Sequence, residues 1–408
     1  MERENMFMYI YLRNKLRGNL KWFRFFRSFY HRLIIPVLCG IYHLLWIFPI
    51  STSKIVVCNF FGEGFGCNPK YIVKCMLDDN CKYDIVWAVK NMSSPFPVGV
   101  RTVRYDSLKY YYELATARVW IDNQHKKIFL RKRKGQFFLN TWHGALGLKK
   151  IGYDNPQNRT GQYEHDAEIQ SKMTDLMNSN STFATDLYRR VFGYEGEIIE
   201  KGLPRNDVLI NKNLNRRSRI RGKMGIHPET KMAIYAPTFR ETYSLESYTL
   251  DLEGLVNELE KITKYTWVVL VRLHPLLVSK MNFIEYNEKI INGSLYSDMQ
   301  DIMLAGDFLI TDYSNVMFEF ALTGYPVILF SLDYEEYKKE REFYFDYFSL
   351  PFSVAQSNEE LVSVVRNFDK KEYEQKLKEY FASVGLNETG QAARYMCNKI
   401  HEAMKKKL

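Results

Sequence analysis

Six cysteines are scattered through the 408 residues, and no two of them form a Cys-x-x-Cys pair. Cys39, Cys58, Cys67, Cys75, Cys81 and Cys397 also lack a histidine at zinc-finger spacing, which speaks against zinc and for a reduced, cytosolic compartment. The glycine-rich stretch Gly62-Glu-Gly-Phe-Gly66 is not a dinucleotide fingerprint, because its spacing is wrong and no acidic residue follows in a βαβ context. No pair of carboxylates leaves a strand together; Asp78-Asp79 sits at a helix end, so neither a metal nor a cofactor is expected. A signal peptide fits badly, because the basic region is too long and no small-residue cleavage site follows. No nucleic-acid recognition motif accompanies the basic residues, so no nucleic-acid partner is expected.

What is present is a globular composition, 46% apolar and 25% charged, in a chain long enough for two cores. The net charge of +10 is lopsided: residues 1–32 hold eight Arg/Lys against two Glu, which accounts for most of it. Aromatics are mixed in (Tyr9, Tyr11, Trp22, Phe23, Phe25, Phe26, Phe29, Tyr30), and Leu33–Ile50 then runs eighteen residues without a charge. Pro36, Gly40, His43 and Pro49 make that run a poor span. A span would also place everything after residue 50 outside the cell, away from any activated nucleotide. Residues 1–50 therefore read as a monotopic segment lying on the cytoplasmic membrane surface.

From Lys54 onward, short apolar strands alternate with helices. Ile55–Phe61, Tyr83–Val89, Val119–Ile121 and Gly135–Leu139 are expected strands, with helices at Lys70–Leu77 and Tyr110–Ala117. Asn211–Arg221 is polar and basic and suits a linker. The alternation restarts at Met232–Tyr235, with strands at Thr266–Val271, Phe308–Thr311 and Pro326–Phe330. Helices are expected at Tyr248–Thr263, Met299–Ala305, Asn315–Leu322 and through 358–405. This predicts a membrane-associating segment (1–50) and two doubly wound α/β domains (51–214 and 215–408) with ligands in the crevice between them.

The chemistry sits where strands end. Asn140-Thr-Trp-His-Gly144 leaves one strand with an imidazole and a glycine at the lip of the sheet. Tyr235-Ala-Pro-Thr-Phe-Arg240, Arg272-Leu-His-Pro275 and Thr311-Asp-Tyr-Ser-Asn315 leave three others. Arg272 and His274 flank one residue and share a face in an extended chain, two donors for an oxyanion. Ser314 and Asn315 open a helix whose first N–H groups suit an anion, although simple N-capping also explains them. Four polar exits together point to a diphosphate.

These residues, with Lys149-Lys150, Lys201-Gly-Leu-Pro-Arg-Asn-Asp207, Glu319 and Phe343-Tyr-Phe-Asp-Tyr347, resemble the CDP-glycerol glycerophosphotransferase family of teichoic-acid primases and polymerases. The resemblance covers roughly residues 54–400, with the motifs in family order. It implies a GT-B fold, peripheral membrane attachment, and transfer of a polyol phosphate from CDP-glycerol to a lipid-linked or glycan hydroxyl with release of CMP. It also implies a site of His143, Gly144, Ala145, Arg205, Pro237, Thr238, Arg272, His274, Ser314, Asn315 and Glu319, with His143 and His274 in catalytic roles. Ala145 stands where many members carry Thr, and Asn315 and Glu319 where Ser and Asp are common. A CDP-ribitol or capsule polyol-phosphate transferase, and more distantly a GT-B nucleotide-sugar glycosyltransferase, remain as alternatives. Allotting about 50 residues to the anchor leaves two ordinary α/β domains, so one or a few additions per acceptor are expected.

Overall fold

A computed structural model describes residues 30–144, 146–158, 160–240, 245–274, 277–278 and 284–406. Ala145, Pro275 and residues 1–29 of the expected anchor lie outside them.

The first half carries seven strands: β1 (Lys54–Cys58), β2 (Asp84–Val89), β3 (Val100–Arg104), β4 (Val119–Asp122), β5 (Phe137–Asn140), β6 (Leu176–Ser179) and β7 (Glu197–Glu200). They are ordered β3-β2-β1-β4-β5-β6-β7, and every pairing is parallel. The second half carries six: β8 (Lys231–Ala236), β9 (Trp267–Val271), β10 (Ile290–Asn292), β11 (Phe308–Thr311), β12 (Val327–Phe330) and β13 (Ser353–Ala355). Their order is β10-β9-β8-β11-β12-β13, again all parallel. Both sheets reverse direction of growth at their first strand, between β1 and β4 and between β8 and β11. Such switch points open a crevice at the strands' carboxyl ends.

The central strands are buried on both faces and read as continuous apolar runs, which is why they were legible in the sequence. Five strands were not anticipated: β3, β6, β7, β10 and β13. β3 and β7 alternate or expose their residues at the sheet edges, and β10 and β13 have three residues each. β6 is buried, but half of it is Asn178 and Ser179.

The segment expected to be a linker is instead mostly helix, Leu214–Lys223. Three of its five basic residues are engaged, while Arg219 and Lys223 stay exposed. Arg216 pairs with Asp301, and Arg217 and Arg221 pair with Asp307 while donating to the Leu304, Ala305 and Gly306 carbonyls. Cations at the end of the helix Met299–Ala305 answer its exposed carbonyls.

The last helix, Ala392–Lys405, returns to the first sheet. Met396, Cys397, Ile400 and Met404 join the apolar cluster of Ile55, Val57, Trp87 and Leu139. Its first two N–H groups donate to the Asp207 carboxylate, whose pKa burial raises to about 6.

Leu33–Ile50 is not one apolar rod. A helix spans Ile35–Leu44, a tight turn follows at Leu45–Ile47, and the chain then extends. Ile35 and Tyr42 are buried against the first sheet, whereas Val37 (59% exposed), Ile41 (49%), Leu44 (73%) and Ile47 (84%) face outward. Among the described residues no helix is long and apolar enough to cross a membrane.

Candidate functional site

A cavity of about 520 Å³ opens at the β8/β11 switch point. Three strand exits form it: Pro237 and Thr238 after β8, Arg272 and His274 after β9, and Ser314 and Asn315 after β11. Its size lies within the usual range for small-ligand sites.

Local packing shapes each exit. Asp312 accepts the Thr238 N–H (2.9 and 3.0 Å), the Tyr313 N–H (2.6 Å) and Arg240 Nη1 (2.6 Å), so it knots β8 to β11. Arg240 also pairs with Asp333 (2.8 Å) and lies over the Tyr248, Tyr313 and Tyr337 rings. Asp312 is thus a buried organiser that caps no helix, which leaves ligand contact to its neighbours. Asn315 does not cap its helix Val316–Ala321; its side-chain oxygen accepts the Leu148 N–H from the other half at 3.0 Å. Arg272 donates to the Ser294 carbonyl, and its pKa is lowered by burial. The His274 ring lies 5.5 Å from that of Phe239. Thr238 lines the cavity, and its Oγ1 is buried without a hydrogen-bond partner among the described residues.

The first half reaches into this cavity through one segment. Tyr344 N donates to Leu148 O, and Lys150 N donates to Glu342 O, each at 2.8 Å, while Ile151 N donates to Tyr344 Oη at 3.1 Å. This strap sets Lys149 on the cavity wall, its ammonium 5.1 Å from the Tyr337 ring centre. Burial pushes the Lys149 pKa down to about 8; Asp312 works the other way, and Arg341 and Arg240 add to the drop. Lys149 belonged to a recognised motif but was not singled out as a site residue. Nothing in the local pattern distinguishes it from Lys150, which pairs with Glu342 at 2.6 Å on the surface.

His143 stands at the other switch point. Its Nδ1 is 2.9 Å from the Asn123 carbonyl, an acceptor only, so Nδ1 carries the proton and the basic lone pair belongs to Nε2. The ring sits between Trp142 (4.3 Å) and Phe60 (5.1 Å). Asn123 also accepts the Phe60 N–H at 2.8 Å. Phe60 (φ 41°), Phe61 (φ 58°), Cys67 (φ 55°) and Trp142 (φ 48°) all adopt left-handed backbone, uncommon for large side chains and concentrated around this histidine. Neighbouring His125 stays neutral, because burial lowers its pKa to about 3. Asn123 and Phe60 escaped the sequence reading because their role is to orient, and nothing in their order announces it.

The remaining expected residues lie behind these walls. Arg205 and Glu319 form a two-point buried pair (2.9 and 2.7 Å), and Gln300 adds a third bond to Glu319 at 3.0 Å. Arg205 Nη2 also donates to the His143 carbonyl at 2.9 Å. A continuous path therefore runs from Ser314 and Asn315 through Glu319 and Arg205 to His143. Gly144 lies beside it: a Cβ there would meet the Trp142 indole at 3.3 Å.

The family model for CDP-Glycerol:Poly(glycerophosphate) glycerophosphotransferase matches residues 41–402. The chain belongs to that family. A teichoic acid poly(glycerol phosphate) polymerase of Bacillus spizizenii is 27% identical over 91% of this chain and 98% of its own length. A polymerase of the same description from Staphylococcus epidermidis is 29% identical over 87% of this chain, which spans about half (51%) of that longer protein. A structure of the wall teichoic acid polymerase TagF superposes with a TM-score of 0.81 at 26% identity, covering 95% of this chain and 99% of that one. Another TagF structure, soaked with CDPG, superposes at 0.80. The GT-B architecture, the transferase class and the place in teichoic-acid synthesis drawn from the sequence are thereby borne out.

Proposed function

We propose that this chain transfers glycerol phosphate from CDP-glycerol to a hydroxyl of a lipid-linked or glycan acceptor at the cytoplasmic membrane surface. The observation that carries this reading is the convergence of Thr238, Arg272, His274, Ser314 and Lys149 on one cavity at a switch point. Cations and hydroxyls there suit a diphosphate. Arg272, His274 and Lys149 would stabilise its charge as the bond to CMP breaks. The acceptor oxygen attacks the phosphorus next to glycerol, a new P–O bond forms, CMP leaves, and the hydroxyl proton passes to His143 Nε2. Arg205 and Glu319 act by holding the His143 backbone, and Asn315 by fastening the strap that delivers Lys149.

The membrane surface is read from the outward apolar face of Ile35–Leu44. Arg133 lies beside that face, donating to the Phe48 carbonyl at 2.7 Å and standing 5.8 Å from the Trp46 ring centre. Arg133 thus borders exposed Ile47 and Phe48. Exposed apolar residues with a cation beside them fit an anionic leaflet.

A polymerase matched over 98% of its length leaves chain length without force as an argument for single additions, and repeated addition is the reading adopted. Mass spectrometry of products from CDP-glycerol, CDP-ribitol and UDP-sugars with a defined lipid-linked acceptor tests the whole proposal. Glycerol-phosphate ladders with CMP release support it; transfer only from CDP-ribitol or from a sugar nucleotide defeats it.

A further inference from the structure

Away from the cleft, the last helix meets the helix Cys67–Asp78, and four of the protein's fourteen Cys and His side chains gather at this junction. Cys75 and Asp79 are one turn apart on the first of these helices and its cap; Cys397 and His401 are one turn apart on the second. Two i, i+4 pairs thus confront each other across the junction. Cys81 joins them because the first helix ends in a reversal: Asn80 is left-handed (φ 52°), with Asn80 N bonded to Leu77 O (3.0 Å) and Cys81 N to Met76 O (3.3 Å).

The distances have a chemical meaning. His401 Nε2 is 3.2 Å from Cys397 Sγ and 3.7 Å from Cys81 Sγ. Ligands around a tetrahedral zinc ion, with Zn–S about 2.3 Å and Zn–N about 2.0 Å, stand about 3.5 Å apart. Cys75, Asp79 and Cys397 place their ligand atoms within 4.8 Å of one another, and so do Asp79, Cys81 and His401. The other ring nitrogen, His401 Nδ1, is 2.9 Å from Tyr83 Oη, which fixes the ring so that Nε2 faces the thiols. An outer partner on the second nitrogen is the usual companion of a metal-bound imidazole. Asp79 Oδ2 lies 3.5 Å from His401 Nε2 and 3.7 Å from Cys397 Sγ, but it is paired with Arg394, which leaves sulfur as the softer donor.

We propose that Cys75, Cys81, Cys397 and His401 bind a structural zinc ion that fastens the carboxyl-terminal helix to the first sheet. The ligands lie up to 326 residues apart, so no local spacing announces them and the sequence spoke against zinc. All four ligands come from the protein, as in a structural site. Its role is therefore to secure the helix that Asp207 caps and that packs on Ile55, Val57 and Leu139.

Full-length protein purified under reductant tests this by metal analysis, and metal-free protein by titration with cobalt(II). One zinc per chain is expected. Cobalt should give thiolate charge-transfer absorption with the intense visible bands of tetrahedral coordination, and zinc should bleach both. Cys81→Ser and His401→Ala, neither in the buried core, should weaken binding by more than the roughly tenfold that loss of an outer partner costs. Cys39→Ser should leave it unchanged, and Asp79→Asn should retain the cobalt bands. No metal above trace with no cobalt spectrum, an unaltered spectrum in His401→Ala, or a Cys75–Cys397 disulfide in metal-free protein would overturn the proposal.

Discussion

Replacing Glu319 separates a residue that touches donor from one that holds the site in place. Its carboxylate makes two bonds to Arg205 and one to Gln300, and both members of the ion pair are nearly inaccessible, with side chains 6% and 8% exposed. Glu319→Ala would strand the Arg205 guanidinium with only Cys67 Sγ and the His143 carbonyl as partners. Breaking a buried pair in this way costs about 3–5 kcal/mol. Glu319→Gln keeps the shape and loses the charge, a cost of about 1.5–3 kcal/mol. The double replacement Arg205→Met with Glu319→Leu removes both charges and should be less destabilising than the two single changes added together. Urea unfolding measures these variants against wild type, and calorimetry with CDP measures the donor site. The expected pattern is a large stability loss in Glu319→Ala and, in the folded Glu319→Gln protein, CDP affinity within a few fold but slower transfer, because Arg205, which holds the His143 carbonyl, has lost its charged anchor. Stability within about 1 kcal/mol of wild type combined with a clear loss of CDP affinity would refute this, and would make Glu319 the donor contact that family resemblance implies.

Four further outcomes follow from the same geometry. His143→Ala should lower transfer by about 10²–10⁴ while donor binding stays within a few fold; retention of more than a tenth of turnover would remove His143 as the base. Arg272→Ala and His274→Ala should each weaken CDP binding and slow transfer, by about 1.5–3 kcal/mol for a bond to a charged group, and unchanged affinity in both would take them out of the site. Lys149 is a cation below its pKa of about 8 and loses that charge above it, so donor affinity should fall as pH rises through that value. Lys149→Arg should carry the fall to higher pH, and a flat wild-type profile across this range would contradict the assignment. Val37→Ser with Ile41→Ser, on the exposed face, should reduce binding to anionic vesicles and leave turnover on a soluble acceptor intact; unaltered vesicle binding would exclude that face. Removal of all of residues 1–50 is the poorer test, since it also strips buried Ile35 and Tyr42 from the first core.

The amino-acid order by itself determined the strands buried on both faces, because β1, β9 and β12 are apolar at nearly every position and end abruptly in polar residues. It also determined which residues leave those strands at the switch points, so Thr238, Arg272, His274, Ser314 and His143 were legible before any coordinates. Edge strands such as β3 and β7 were not, since half-exposed segments carry no continuous apolar signal. Only the tertiary structure decided which cations are spoken for. Arg216, Arg217 and Arg221 look like a solvated linker until Asp301 and Asp307 arrive beside them, and Lys149 looks like Lys150 until the strap through Tyr344 turns one to the cavity and leaves the other at the surface. It alone divided the expected donor residues into those lining the cavity and those, Arg205 and Glu319, locked together behind it. The reason is physical: strand burial is written in neighbours one or two residues away, whereas an ion pair spanning 114 positions leaves no local pattern and exists only once both sheets are built.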